Sequence, residues 1–413
     1  MFLKQYKATI MHSLTLLHKN FEAQLPKVHK VRLESLMTVC KSALMDSKLF
    51  LTSLGRGISN NNKESSNIQK VDRLLGNGIL QSERERFYQV LISYVIKEGL
   101  ESPWIHIDWL CINATTNLYV LRASLSMKGR SIVLYEECYS KKSENNHSVH
   151  KAFLNKLKTL LPSSLKPVIV TDAGFRGPWF AHILKLNWHF VGRLRNKNCV
   201  QLENESECVL SSSYFERATG VPKYLGQGLL TQEGKIPVHL VVYKGKAKGR
   251  HQVNKNKKKS NAGKSKTYSK ANKEPWVLVS SIPLAKEKPV LITNIYRQRM
   301  RIEQNIRDTK CPHYGLGLKK SLTRNPQRMN ILLLIAAIST LAAWLAGLII
   351  KLRNCAADFQ AHSAKFTSVL SIVFLGRRAI KKGVNSSHEE HEVSCSLLYE
   401  VVLNAQLEKP HYA

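Results

Sequence analysis

The chain has 413 residues, enough for two or three domains with a sizeable core, and its 43% apolar content excludes wholesale disorder. Lys and Arg number 63 against 29 Asp and Glu, a formal charge of +34 that raises association with a polyanion. Nucleic acid is the leading partner and an anionic membrane the competitor. The eight cysteines include no CxxC pair, which excludes a short secreted disulfide framework and argues against a zinc site, so they read as reduced cytosolic thiols.

In chain order, MFLKQYKATIMHSLTLLHKN at the N-terminus mixes charge with apolar residues and lacks the uninterrupted apolar run of a secretion signal. Residues 1–95 read as a helical domain. KVHKVRLESLMTVCKSALMD (27–46) repeats apolar residues at helical spacing, and LTSLGRGI (51–58) and NIQKVDRLLGNG (67–78) flank the polar loop 59–66. Two short helices around a polar connection suggest a helix-turn-helix-like DNA reader, although such pairs are common in any α domain. Asn67, Gln69, Lys70 and Arg73 are its candidate major-groove contacts.

Residues 96–195 change character. PWIHIDWLCI (103–112), NLYVLRASLS (117–126) and RSIVLYEECY (130–139) predict a strand meander. HSVHKAFLNKLKTLLP (147–162) predicts a helix, KPVIVTDAGF (166–175) a short buried strand, PWFAHILKLN (178–187) a helix and WHFVGRLR (188–195) a strand. That order describes an α/β mixed sheet. Residues 196–290 interrupt it with short strands such as PVHLVVYKG (237–245) and EPWVLVSSIP (274–283). Between these lies a loop, 244–273, with twelve Lys and Arg and no acid, which reads as a phosphate-tracking loop in preference to a solvated linker.

The stretch MNILLLIAAISTLAAWLAGLII (329–350) is uncharged and long enough to cross a bilayer. It stands alone, and its Ala, Ser, Thr and Gly content favours a helix buried in a larger domain over a membrane span. Residues 351–413 read as a C-terminal helical region suited to dimerisation or DNA contact, basic at first and then acidic at HEEHE (388–392). That pentapeptide lacks the HExxH spacing of a zinc protease and reads as a solvated charged turn; the glycines of YGLGL (314–318) follow no strand and form no dinucleotide loop.

The chemistry-bearing candidates are carboxylates. Asp108 sits within the apolar run WIHIDWLCI, where an aspartate needs a partner or a metal, and Asp172 ends a sheet strand, where α/β sites tend to lie. Taken singly, a turn cap or a satisfied polar residue is the better explanation of each. NIYRQRMRIEQNIRDTK (294–310) places Glu303 in a basic segment. On one helix, Tyr296, Arg299, Glu303 and Lys310 share a sector of about 60°. Three separated carboxylates suit a pair of hard divalent cations, Mg²⁺ foremost, for in-line displacement at phosphorus.

Tyr-x2-Arg-x3-Glu-x6-Lys, met by Tyr296, Arg299, Glu303 and Lys310, resembles the YREK signature of bacterial DDE transposases. IHIDW around Asp108 and VTDAGF around Asp172 are similar to that family's aspartate motifs; EPWVLVSS around Trp276, KCPHYGLGLKKS (310–321) and GRGI…NIQKVDRLLGN also look similar. The resemblance is greatest to the insertion-sequence-ten group and runs from about residue 25 to beyond 350. It implies a ribonuclease-H-like catalytic core interrupted by a β-rich insertion (196–290) and resumed by helices over 291–350.

The same resemblance implies a cut-and-paste reaction: a nick at the transposon end, a hairpin, its reopening, and attack of the 3′-OH on target DNA. Asp108, Asp172 and Glu303 would be catalytic and hold two Mg²⁺ ions, for which Mn²⁺ can substitute. Tyr296, Arg299 and Lys310 would contact phosphates near the cleaved end, and Trp276 would stack on a base flipped from the hairpin, against the plain alternative of a strand-core residue. The implied partners are double-stranded DNA, as terminal inverted repeats and target, and a second copy in a homodimer; no membrane is involved and the location is the bacterial cytoplasm. An inactive end-binding repressor and a nuclease without strand transfer remain open alternatives.

Overall fold

The computed structural model describes residues 12–45, 48–113, 115–127, 129–195, 198–246, 262–263, 265, 267, 273–361 and 369–407. In chain order the elements begin with α1 (His12–Gln24), α2 (Lys30–Leu44), α3 (Leu51–Arg56), α4 (Glu64–Leu75) and α5 (Gly78–Ser93). The meander follows as β1 (Trp104–Asn113), β2 (Leu118–Met127) and β3 (Arg130–Ser140), then α6 (His147–Leu160), β4 (Val168–Thr171), α7 (Gly177–Lys185) and β5 (His189–Leu194). Short strands β6 (Cys199–Leu202), β7 (Val209–Leu210), β8 (Lys223–Leu230), β9 (Ile236–Tyr243) and β10 (Trp276–Ser280) come next. The chain ends in α8 (Pro289–Arg297), α9 (Met300–Lys310), α10 (Pro326–Leu352), α11 (Ile372–Lys381) and α12 (His388–Leu407).

These elements gather into two compact units. Among the described residues, one is built from 12–165 together with 300–407, the other from Lys166–Arg299. In the first unit β1, β2 and β3 pair antiparallel, each strand beside its sequence neighbour. Opposite residues point to the same face, and Asp108, Arg122 and Glu136 form one such cross-strand row.

The core of this unit is α10. Nearly every residue from Met329 to Ile350 is buried, and the helix packs on α11, α12, α2, α5 and β3. Its apolar surface runs all round, which suits a helix enclosed by protein. The stretch that met the length rule for a membrane span is thus enclosed, with 94% of its most apolar window buried. The α10–α11 crossing is close because Gly347 and Gly376 lack side chains: a Cβ on Gly376 would overlap the carbonyl of Ala343, and one on Gly347 that of Ile372. Asn325 starts α10, its side chain accepting from the amides of Gln327 and Arg328 at 2.8 and 3.3 Å.

The pentapeptide HEEHE differs from its expectation. It opens α12 and is not a solvated turn: Glu390 accepts a two-nitrogen contact from Arg353 at 2.6 Å, and His391 is buried. The acids at a helix start suit the positive end of the dipole.

In the second unit β4 and β5 are parallel, joined through α7, and the sheet continues in the order β4-β5-β10-β9-β8-β6-β7 with antiparallel pairing. Gly192 in β5 admits the ring of Phe180 from α7, a space any Cβ would close.

Candidate active site

In the first unit, Asp108 lies mid-β1, half-buried, directly opposite Arg122. Arg122 is fully buried; its guanidinium holds Glu136 at 2.6–2.7 Å and also donates to the side chain of Asn305 in α9. Asp108 therefore faces the side of the meander on which α9 lies. Burial pushes the Glu136 carboxyl up and Arg122 opposes it.

Helix α9 buries Ile302, Asn305 and Thr309 and exposes Glu303 and Arg307. The Asn305 amide donates to the Ser131 carbonyl at 2.9 Å, which fixes the helix rotation and leaves Glu303 outward in the first turn. Lys310, at the last position of α9, donates to the carbonyl of Cys111, three residues beyond Asp108. Burial lowers its ammonium from the ordinary value, the Cys111 thiol opposing.

In the second unit, Asp172 follows β4 directly and its Oδ1 accepts from the Gly174 amide at 2.8 Å, so it is also a turn cap. Tyr296, near the end of α8, is 5% exposed, with Trp276 edge-on at 4.9 Å between ring centroids. The guanidiniums of Arg193 and Arg299 lie near its hydroxyl, and that of Arg299 stands 6.0 Å over its ring. Burial raises the Tyr296 phenol, the two arginines oppose this, and the nearby Asp172 charge adds to it. Trp276 is half-buried and pairs across the sheet with Tyr243, their rings 5.6 Å apart. Asp172, Tyr296, Arg299 and Trp276, four residues singled out from the sequence, thus share one neighbourhood.

Three residues of this cluster were missed in the sequence. Arg193 in β5 lies opposite Leu278, two residues from Trp276, so it shares the tryptophan's face. Tyr243 and Arg297 complete the group: Arg297 stands 5.6 Å over the Tyr243 ring and donates to its hydroxyl at 3.3 Å. The sequence signal available for Arg193 was only its alternation within WHFVGRLR.

The single helix expected over 294–310 is not formed. Helix α8 ends at Arg297, α9 begins at Met300, and Arg299 sits in the turn with its amide on the Tyr296 carbonyl at 3.0 Å. The 60° sector calculated for one straight helix therefore does not hold. Tyr296 and Arg299 are held by aromatic and guanidinium contacts, whereas Ile302, Asn305 and Thr309 pack separately, and this packing overrides helical continuity.

The N-terminal candidates divide. Asn67 is 3% exposed and hydrogen-bonds to Asn60 and to the Ile58 carbonyl, so it ties the α3–α4 connection together. Gln69 and Arg73 are exposed on α4 and Lys70 is half-exposed. Most of the basic loop 244–273 lies outside the described residues.

Among the described residues, no group of three or more His, Cys, Asp or Glu side chains is gathered closely enough to hold a metal ion. Asp108 and Glu303 belong to one unit and Asp172 to the other. Their donors are carboxylate oxygens, which suit a hard divalent cation.

A comparison with known families gives the mixed α/β fold its class, an enzyme acting on DNA with a ribonuclease-H-like core. Residues 128–340, just over half of the chain, match the transposase DDE domain, and the chain belongs to that family. The match includes Asp172 and Glu303 and begins after Asp108. No curated protein sequence matches. Among solved structures, a cryo-EM structure of a piggyBac transposase synaptic complex with hairpin DNA is similar at 12% identity and a TM-score of 0.41. That likeness covers 97% of this chain and 79% of the other. The family match carries the assignment.

Proposed function

We propose that this DDE transposase is a cut-and-paste enzyme of the YREK type, akin to the insertion-sequence-ten group, working through a hairpin intermediate. The observation that carries the reading is the cluster of Asp172, Tyr296, Arg299, Arg193 and Trp276 within one unit. Two guanidiniums beside one phenol suit a phosphate, because a planar donor fork matches its oxygens. The half-buried indole beside them offers a stacking face for an extruded base.

Asp108, Asp172 and Glu303 are the residues that would hold divalent ions, with Mg²⁺ preferred and Mn²⁺ tolerated. Such ions would supply an activated hydroxyl and charge stabilisation at the leaving oxygen. In this reading Arg193, Arg299 and Tyr296 orient the phosphate beside Asp172, and Lys310 holds the end of β1 beside Asp108. The enzyme acts as a homodimer on two terminal inverted repeats and then on target DNA, in the bacterial cytoplasm at the nucleoid.

The test is incubation of the purified chain with end-containing duplex and Mg²⁺. Wild type is expected to give nicked, hairpin and joined products, and Glu303→Ala none. Wild-type protein that leaves the ends intact would be an end-binding repressor, nicking without joined products would mark a nuclease, and either result overturns the proposal. Trp276→Ala is expected to lower hairpin yield at least ten-fold while the first nick is little changed; equal losses in both steps exclude base stacking.

A further inference from the structure

Away from the carboxylates, the first unit contains a cavity of about 270 Å³ between β3, α9, α10 and α11. Its walls are chemically mixed. Leu316, Leu370, Val373 and Phe374 give an apolar surface with one aromatic face, and Arg130 and Arg377 bring guanidiniums to it. Arg130 donates through Nε to Asp308 at 2.6 Å, and Arg377 donates through Nη1 to the Tyr314 carbonyl at 2.9 Å. Two arginines and one aspartate leave one net positive charge at the lining. Helix α11 also starts at this wall, its first turn capped by Ser371, so the positive end of its dipole adds to the field.

A second observation points to an occupant. Ser131 lines the cavity, is 1% exposed, and its hydroxyl has no hydrogen-bond partner among the described residues. A buried hydroxyl without a partner is destabilising, and a ligand group in the cavity would offset that cost. A simple inorganic anion would leave the apolar walls unused, and a purely apolar ligand would leave the serine and the guanidiniums unmatched. A nucleotide meets all three: its base fits an apolar wall with an aromatic face, its phosphodiester carries one negative charge, and its ring edge or sugar oxygen reaches a hydroxyl.

We propose that this cavity is a second nucleotide site, distinct from the Trp276 cluster, which takes one nucleotide with a monoanionic phosphodiester. The choice of nucleotide rests on the family assignment; the test does not require cleavage, so its failure would leave the active-site reading standing. Two sources share this chemistry, a nucleotide unstacked from a bound DNA strand and a free mononucleotide.

The probe is the methyl ester of dTMP, a monoanionic phosphodiester, titrated into the full-length chain. Thymidine alone and inorganic phosphate are each expected to bind at least ten-fold more weakly. Arg377→Ala removes a charge-assisted donor and Ser131→Leu fills the cavity; each is expected to weaken the probe about ten-fold or more. Arg377→Lys is expected to restore part of the loss, and unchanged melting curves establish that the variants fold. A 2-aminopurine duplex separates the sources: fluorescence that rises with wild type and not with Ser131→Leu assigns a DNA nucleotide. Competition by the free probe without that rise assigns a mononucleotide. No probe binding, or binding that neither Ser131→Leu nor Arg377→Ala reduces, overturns the proposal.

Discussion

At the scale of single residues, His150 shows how the meander is tied to α6 beside Asp108. Its Nε2 accepts from the Trp109 indole at 2.9 Å, which places the imidazole proton on Nδ1, and burial pulls its pKa from 6.5 down to about 4. Above pH 6.5 the ring is neutral in both folded and unfolded chains. As the pH falls from 6.5 towards 4 the unfolded chain takes up the proton first, so stability is lost in that window. The expected loss is about 3 kcal/mol. Chemical denaturation at pH 7 and pH 4.5 should show it, with His150→Gln flattening this part of the dependence; an unchanged slope in the variant removes His150 as the cause. Residue by residue, legibility was uneven. The place of Asp172 at a strand end was readable because a short apolar strand stops at it, and Glu303 was expected on a helix and lies on α9. Arg193 and Tyr243 were not readable, because their nearness to Trp276 depends on strand register across long sequence separations.

At the scale of elements, the strand meander, the α3–α4 pair and the enclosed α10 follow from periodicity, since each is dictated by its own apolar pattern. The break between α8 and α9 does not. NIYRQRMRIEQNIRDTK contains neither proline nor glycine, and the interruption comes from competing packing on its two sides. The α3–α4 corner shows a similar limit. Helical phase alone puts Asn67 with Lys70, yet the side chain turns in to join Asn60 and Ile58. Asn67→Ala is expected to cost about 1–3 kcal/mol, because it leaves loop polar groups without partners. Arg73→Ala should change stability by less than about 0.5 kcal/mol and instead weaken binding to the transposon end. Thermal melts and gel shifts on the same two proteins check this, and a destabilised Arg73→Ala with normal DNA binding would remove α4 from the reading surface.

At the scale of the molecule, the charge of +34 sets how DNA association responds to salt. A protein that neutralises six to ten phosphates loses roughly 10³–10⁵ in affinity between about 50 and 200 mM salt. We expect non-specific duplex binding by this chain to fall in that range, measured as the slope of log affinity against log salt. A slope shallower than about −3 would mean that most of the charge stands away from DNA. The charge was legible at once from the composition. The division of the three carboxylates between two compact units was not, because unit membership depends on long-range packing that no local pattern records.

The enclosure of α10 has a consequence for how the protein is made. While the ribosome is still producing α11 and α12, the stretch Met329–Ile350 has α1, α2, α4, α5 and β3 to cover it. At that moment it has the length and hydropathy that mark a segment for insertion into a bilayer. Collapse of the N-terminal helices onto the emerging segment therefore decides between folding and mistargeting. A substitution that loosens those helices can lower yield in the cell without touching a residue that meets DNA.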